Sequence, residues 1–197
     1  MIETVFVALI IAKLKRYKLA PLLKAWPLYP FLFLELVYLF FQWSVFQGNY
    51  EYVQYAGLLK QLQLFVFILP ILVYRQYTQA LIGSAFIFVG TFLNKFVMAQ
   101  NGGTMPVFPS FSYFTGYVTS DSFTAVSGIH SLGSSDTQWK ILTDIFDLGY
   151  TILSLGDIFI SVFVGLLLFN TVKILNVRIK EKEELQTCSN DCVNGGL

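Results

Sequence analysis

Asp157 is the residue of this chain best placed for chemistry, because it lies near the start of the longest apolar run, residues 155–177. That run contains no other acid or base before Lys173. At about 1.5 Å of rise per residue it is long enough to cross a bilayer core of about 30 Å. An ionisable side chain inside such a span is costly in lipid and commonly marks a functional site. Asp157 is therefore the first candidate for a catalytic or binding group.

Two interpretations of Asp157 follow from its neighbours. The segment Ser154-Leu155-Gly156-Asp157 matches a capping box, in which the serine and the acid cover backbone N–H groups at a helix start. Acid–base catalysis would instead need a second carboxylate nearby. Repulsion between the two would split their pKa values, so that one acid stays protonated while the other activates water. Asp144 and Asp147, which precede the span on the same side, are the candidates for that second acid.

Further polar residues fall at the same end of the spans, and we predict that they form a binding site. Lys95 either extends to water or pairs with Asp157 across a helix contact. His130 has no His or Cys companion on its own side, and Cys188 and Cys192 lack the partners of a zinc site, so no metal or other cofactor is predicted. The predicted binding residues are Asn94, Lys95, Asn101, Gly102, Gly103 and His130.

The composition identifies a membrane protein. Of the 197 residues 55% are hydrophobic and 13% are charged, and the mean hydropathy is +0.63, outside the range of ordinary soluble domains. The net charge of +1 gives no basic surface for nucleic acid, and we predict no nucleic-acid partner. We predict instead the lipid bilayer and a membrane protein as partners.

The apolar runs predict an all-α polytopic helix bundle of four to five transmembrane helices. The domain comprises residues 1–177, followed by a cytoplasmic tail, 178–197, that is expected to fray. A long outer loop covers residues 101–154. The predicted spans are residues 2–18, 30–46, 58–74, 80–98 and 155–177. The first crosses only if its helix continues into the basic segment that follows Ala12.

Lysine and arginine set the orientation, because cytoplasmic loops hold the excess of positive charge. Basic residues cluster before residue 30, at Arg75 and after Lys173, whereas Lys60, Lys95 and Lys140 alone fall on the opposite side. This alternation places the C-terminus in the cytoplasm, the loop 101–154 outside, and the N-terminus outside if residues 2–18 span.

Small and polar residues recur at helical spacing in two spans and predict that these spans pack together. Such residues let membrane helices approach closely and bond across the contact. They are Gly83, Gly90 and Asn94 in one span and Ser154, Asp157, Ser161 and Gly165 in the other. On the span 30–46, Glu35, Tyr38 and Gln42 share one face, and Glu35 is either a partner for a cation or a pathway residue.

Two patterns predict structure in the outer loop. Alternating residues between 107 and 118 are typical of short strands. From residue 137 to 148, Trp139, Leu142, Ile145 and Phe146 recur at helical spacing after Asp136, a suitable N-cap, and indicate a helix on the membrane surface.

The chain resembles an uncharacterised family of small bacterial integral membrane proteins of unknown function. The resemblance covers most of the chain, and its specific elements are NGGxMPV and SxGD. It rests on residues 94–107 (NKFVMAQNGGTMPV), His130, Thr143-Asp144-Ile145 and Ser154-Leu155-Gly156-Asp157-Ile158. The family implies a bacterial cytoplasmic membrane and no established activity.

A weaker resemblance concerns the lipoprotein signal peptidases, which are four-span aspartyl enzymes. Asn94 and Gly102 are similar to their glycine-and-asparagine element, and Asp157 is similar to the aspartate that begins their last span. Pro106 stands where their other catalytic aspartate is expected, and their arginine–aspartate pair is absent. The resemblance implies a shared architecture with an incomplete catalytic pair.

The sequence therefore favours a small, non-enzymatic membrane subunit or ligand-binding component with a polar site at the outer membrane face. The alternative is a membrane-embedded aspartyl hydrolase or peptidase that uses Asp157 with Asp144 or Asp147.

Overall fold

The computed structural model describes residues 1–119 and 130–194, with side chains as far as Thr187 in the last helix. Its described part contains four helical segments long and apolar enough to cross a membrane. This confirms the all-α fold of a multi-pass membrane protein. The segments are Trp26–Phe46, Glu51–Tyr74, Tyr77–Gln100 and Leu155–Thr187. Cys188 and Cys192 lie outside the described side chains.

The N-terminal helix, α1 (Ile2–Leu14), ends before the basic segment. Arg16 has a positive φ of 61°, which stops the helix. Thirteen residues span about 20 Å, so α1 alone is shorter than a bilayer core of about 30 Å and does not occupy the predicted range 2–18. Met1 lies inside the bundle, where its amino nitrogen is 3.4 Å from a carboxylate oxygen of Glu35.

The first long segment joins short 3-10 turns, Ala20–Lys24 and Trp26–Leu28, to helix α2 (Tyr29–Phe46). Pro30 lies in the first turn of α2, where its missing N–H costs no helical hydrogen bond. Glu35, Tyr38 and Gln42 are all buried on one face, as predicted.

The second long segment is interrupted near its middle. It comprises a 3-10 turn (Glu51–Tyr55), helix α3 (Ala56–Phe65) and helix α4 (Ile68–Tyr74). Pro70 explains the interruption, because it cannot donate to the carbonyl of Val66 and its ring clashes there. The chain instead makes a tighter turn, in which Leu69 N–H donates to the Val66 carbonyl at 3.1 Å.

Helix α5 (Tyr77–Gln100) packs along the last helix, α7 (Leu155–Asn194). A Cβ atom on Gly90 would lie 2.4 Å from the Gly156 carbonyl, and one on Gly83 would lie 2.6 Å from the Phe163 ring. The predicted contact between these spans is therefore confirmed. The exception is Gly165, which faces Thr4 of α1.

The buried core joins α7 to the N-terminal elements and to the break between α3 and α4. Phe31 and Phe67 lie 4.8 Å apart between ring centroids, and Phe67 meets Phe163 of α7 at 5.8 Å. Apolar side chains elsewhere point outward, such as Leu81 and Phe88 on α5, which are about three-quarters exposed. Such a surface suits contact with lipid.

The outer loop forms a small folded unit. Strand β1 (Met105–Val107) pairs in parallel with β2 (His130–Leu132), and Val107 also forms a parallel bridge to Asp144. Helix α6 (Phe111–Thr115) follows β1, so only the start of the alternating stretch is a strand. Strands β3 (Phe146–Asp147) and β4 (Ile152–Leu153) form an antiparallel pair that leads into α7.

The predicted surface helix over residues 137–148 is wrong. Only a 3-10 turn, Lys140–Leu142, forms there. Trp139 has a positive φ of 53°, and Thr143 is extended, so the backbone reaches β1 and β4 instead. Backbone groups of this segment thus bond to neighbouring strands, and tertiary contacts override the local preference for a helix.

Helix α7 continues into the predicted tail as far as Asn194, the last residue that the structure describes. The side chain of Asn176 accepts from Lys18 N–H at 2.7 Å and donates to the Lys18 carbonyl at 2.9 Å. Lys18 also lies 3.4 Å from Glu183. These contacts attach the segment after α1 to α7.

Candidate functional site

Asp157 forms the predicted capping box at the start of α7. Its backbone N–H donates to Ser154 Oγ at 3.0 Å, and Ser154 N–H lies 3.5 Å from Asp157 Oδ2. The hydrogen bonds expected for a capping box are therefore present at Asp157. Asp157 also has contacts that a simple cap does not need.

Lys60 and Asn94 approach Asp157 from two other helices. Lys60 Nζ of α3 is 3.9 Å from Asp157 Oδ2, and Asn94 Nδ2 of α5 is 3.4 Å from Oδ1. Asn94 Oδ1 accepts from Ser154 Oγ at 2.8 Å, in the space left free by Gly156. Of the two alternatives for Lys95, the structure has the first, because Lys95 is exposed on α5 and Lys60 takes the position beside the Asp157 carboxylate.

Asp144 is brought to the same region by the small sheet. Its N–H donates to the Pro106 carbonyl at 3.1 Å, and its carbonyl accepts from Phe108 N–H at 2.9 Å. The side chain is 5% exposed. Oδ2 is 3.6 Å from His130 Nε2, whereas the buried Oδ1 has no hydrogen-bond partner. A buried carboxylate oxygen without a partner is costly and calls for a proton, a water or a ligand.

The electrostatics connect these four ionisable groups. Burial, first, and the negative charge of Asp157 raise the pKa of Asp144 to about 7, although Lys60 acts in the opposite direction. Burial and the charge of Lys60 lower the pKa of His130, against the influence of Asp157. Near neutral pH, Asp144 is therefore partly protonated while His130 is neutral. We call Lys60, His130, Asp144 and Asp157 the polar cluster.

Asp147, the other candidate for a second acid, stabilises the outer loop through hydrogen bonds. It accepts hydrogen bonds from the N–H groups of Ser110, Ser112 and Gly149 and from Ser112 Oγ. Burial raises the pKa of Asp147, but these hydrogen bonds outweigh it and hold the pKa below its usual value. Asp147 thus fixes the start of α6 and the turn before β4.

Two cavities adjoin the polar cluster. The first, of about 210 Å³, lies between α2, α3 and the outer loop, with Lys60, His130 and Asp144 on its polar side. The second, of about 180 Å³, lies deeper and reaches Asp157, Lys60 and Glu3. Tyr38, Lys60 and Thr151 line both cavities. Lys60 therefore borders both cavities, and His130 borders the first.

The remaining predicted binding residues hold the outer loop in place. Asn101 Nδ2 donates to the carbonyls of Val97 and Gln138, and Asn101 Oδ1 accepts from Gln138 N–H. Gly102 and Gly103 have φ values of 68° and 85°, which suit glycine in a tight turn. Among the described residues, no three His, Cys, Asp or Glu side chains are grouped to hold a metal ion.

Lys60 is the site residue that the sequence-based reasoning missed. It lies within a candidate membrane span, where a lysine commonly marks a functional position. Its place inside the predicted span 58–74 is the signal in the sequence that indicates a site residue. The tyrosines of the first cavity gave no such signal, since aromatic residues are common throughout the chain.

A second buried polar group lies among α1, α2 and α3. Gln63 donates to Glu35 Oε2 at 2.5 Å, and the Met1 amino group is near both Glu3 and Glu35. Gln42 Nε2 of α2 donates to the Tyr150 carbonyl at 3.2 Å, which links the bundle to the outer loop. Glu35 therefore has a cation and an amide as neighbours.

Comparison with known proteins agrees with the resemblance seen in the sequence. No curated protein and no solved structure matches the chain. A family model matches residues 20–169, which include α2 to α6, the polar cluster and the first 15 residues of α7. The chain belongs to DUF5317, a family of unknown function.

Proposed function

We propose that this chain is a non-enzymatic membrane protein that binds a small ligand in the first cavity, at the outer face of a bacterial cell membrane. The observation that supports this most is Asp144 Oδ1, a buried carboxylate oxygen without a partner, in a residue that lines a cavity. A ligand that donates a hydrogen bond to this oxygen would remove the cost of burying it unpaired.

The walls of the cavity indicate the chemistry of the ligand. Tyr38, Tyr50 and Tyr117 contribute aromatic surface, and several valines complete the apolar lining. Pockets of this kind take a flat or apolar body and use few polar groups to orient it. A volume of about 210 Å³ is below the roughly 300–1,000 Å³ of drug-sized sites. The ligand is thus a small molecule with an apolar body and a hydroxyl or amine donor for Asp144.

The hydrolase alternative has one supporting observation, because the negative charge of Asp157 contributes to the raised pKa of Asp144. Against it, Asp157 is engaged by the capping box, Asn94 and Lys60. These contacts support a binding role over an aspartyl dyad.

The test is a search for a molecule that copurifies with the protein. Wild type, Asp144→Asn and the control Asp136→Asn are purified in mild detergent, and the extracted small molecules are measured by mass spectrometry. Asp136 is an exposed acid of the outer loop and does not line the cavity. We expect a small compound that is retained by wild type and Asp136→Asn and is depleted at least tenfold in Asp144→Asn.

Thermal melts of the three proteins must accompany the extraction, so that loss of the compound is not mistaken for loss of the fold. The same small molecules in equal amounts from all three folded proteins would refute the proposal. Hydrolysis of an added membrane peptide, abolished equally by Asp144→Asn and Asp157→Asn, would favour the hydrolase instead.

A further inference from the structure

A basic cleft lies at the opposite end of the bundle from the polar cluster. It occupies about 520 Å³ between the start of α5 and the middle of α7. Three cationic side chains, Arg75, Lys173 and Arg178, line it together with one acid, Glu181. The side-chain charges in the cleft therefore sum to about +2 at neutral pH.

The three cations are available to an added anion. Among the described residues, none of them has a carboxylate oxygen within 4 Å, and all three are exposed. Arg178 is held over the ring of Tyr74, with its guanidinium carbon 5.3 Å from the ring centroid. This contact restricts the side chain without using its hydrogen-bond donors.

The start of α5 adds donors to the same cleft. No side chain caps this 24-residue helix, and Thr78 and Gln79 of its first turn line the cleft. Uncapped N–H groups and the positive end of the helix dipole favour an anion at this position. They reinforce the charge of the three basic side chains.

The surroundings of the cleft indicate that the anion belongs to a lipid. The cleft lies where one candidate span ends at Tyr74 and the next begins at Tyr77, and Ile174 and Val177 are part of its lining. Leu72 and Val73 are exposed beside it. A headgroup in the cleft would thus have its acyl chains against apolar helix surface, as in basic lipid sites between membrane helices.

We propose that this cleft binds the phosphate group of an anionic phospholipid. The proposal is independent of the ligand cavity, because it uses other residues at the other end of the spans. Phosphate has the acceptor oxygens that arginine, lysine and backbone N–H groups bind best. A zwitterionic lipid would bind more weakly, because its own cation opposes the three basic side chains.

The test measures lipid binding to the purified full chain by thermal melts in detergent with added phosphatidylglycerol, phosphatidylcholine or soluble glycerol phosphate. The double variant Lys173→Gln, Arg178→Gln is compared with Lys180→Gln, Lys182→Gln. The control removes the same number of positive charges from the same helix, outside the cleft. We expect phosphatidylglycerol to raise the wild-type Tm by several degrees, and the cleft variant to lose most of this shift while the control keeps it.

Each other outcome contradicts the proposal. An equal shift with glycerol phosphate would show that a soluble phosphate compound occupies the cleft instead of a lipid. Equal losses in the cleft and control variants, or equal effects of the two lipids, would show that no specific site exists. If the double variant does not fold, Lys173→Gln alone replaces it, because the side chain is exposed and has no described ion pair.

Discussion

At the scale of single residues, the polar cluster combines groups that the sequence keeps far apart. Lys60 comes from α3, Asp157 from α7 and His130 from β2, whereas Asp144 lies in the outer loop, where it forms a parallel bridge to Val107 of β1. Capping explains part of Asp157, but no cap accounts for a buried, unpaired oxygen on Asp144. The protonation of Asp144 can therefore be used to test the electrostatics of the polar cluster.

The first prediction concerns the pH dependence that Asp144 gives to stability. Its pKa is 3.8 in an unfolded chain and about 7 in the folded protein. Between these values the folded protein holds a proton that the unfolded chain has lost, so the contribution of Asp144 is greatest below pH 4 and falls as the pH rises to 7. We expect wild type to lose roughly 2 to 3 kcal/mol more stability than Asp144→Asn between pH 5 and pH 7.

Melts at several pH values measure this difference, since the remaining titrating groups are common to both proteins. Asp136→Asn should follow the wild-type curve, because Asp136 is exposed. Parallel curves for wild type and Asp144→Asn would mean that the pKa of Asp144 is not raised.

The second prediction concerns the ion pair between Lys60 and Asp157. Asparagine at position 157 can still cap α7 but leaves Lys60 without its carboxylate. We expect Asp157→Asn and Lys60→Met each to lower stability, and the double variant to lose less than the sum. A double-mutant cycle should give a coupling of about 0.5 to 3 kcal/mol. Additive losses would mean that the 3.9 Å pair contributes nothing and that Asp157 acts as a cap alone.

At the scale of helices and strands, the sequence predicts an element correctly when residues within that element determine its structure. Hydropathy predicted the long helices because each satisfies its own backbone in lipid. The spacing of Gly83 and Gly90 predicted the contact of α5 with α7, since only small residues allow such an approach. Residues 137–148 were predicted wrongly because their partners, β1 and β4, lie elsewhere in the chain. The contact of Lys60 with Asp157 could not be predicted for the same reason, because the two residues lie on helices far apart in the sequence.

The third prediction tests the contact of α5 with α7. Replacing glycine by alanine inside a helix normally stabilises it by about 0.5–1 kcal/mol. Gly57→Ala in α3 should follow this rule, because no atom lies within 4 Å of its added Cβ. Gly90→Ala should instead lower the Tm, since its Cβ would meet the Gly156 carbonyl at 2.4 Å. Equal Tm values for both variants in detergent would argue against a tight contact.

At the scale of the whole molecule, an even number of candidate spans, four in the described residues, places the start of the first span and the end of the last on the same side of the membrane. Lysine and arginine assign that side to the cytoplasm, which stays a prediction, as do the bacterial membrane and a membrane protein partner. The assignment decides whether the ligand cavity faces the outside and the basic cleft faces the cytoplasm.

The fourth prediction tests this orientation in intact cells. Ser135, an exposed residue of the outer loop, is replaced by cysteine, and an impermeant thiol reagent is added. We expect Ser135→Cys to be labelled, whereas wild type, which has only Cys188 and Cys192, stays unlabelled until the cells are opened. Labelling of wild type in intact cells would invert the orientation.

The length of α7 has a mechanical consequence. The membrane part of this helix needs about 20 residues, yet the helix continues without interruption to Asn194. The 17 residues from 178 to 194 extend it by about 25 Å. The helix is thus a stiff spacer, and any protein bound at its far end would stand clear of the lipid headgroups.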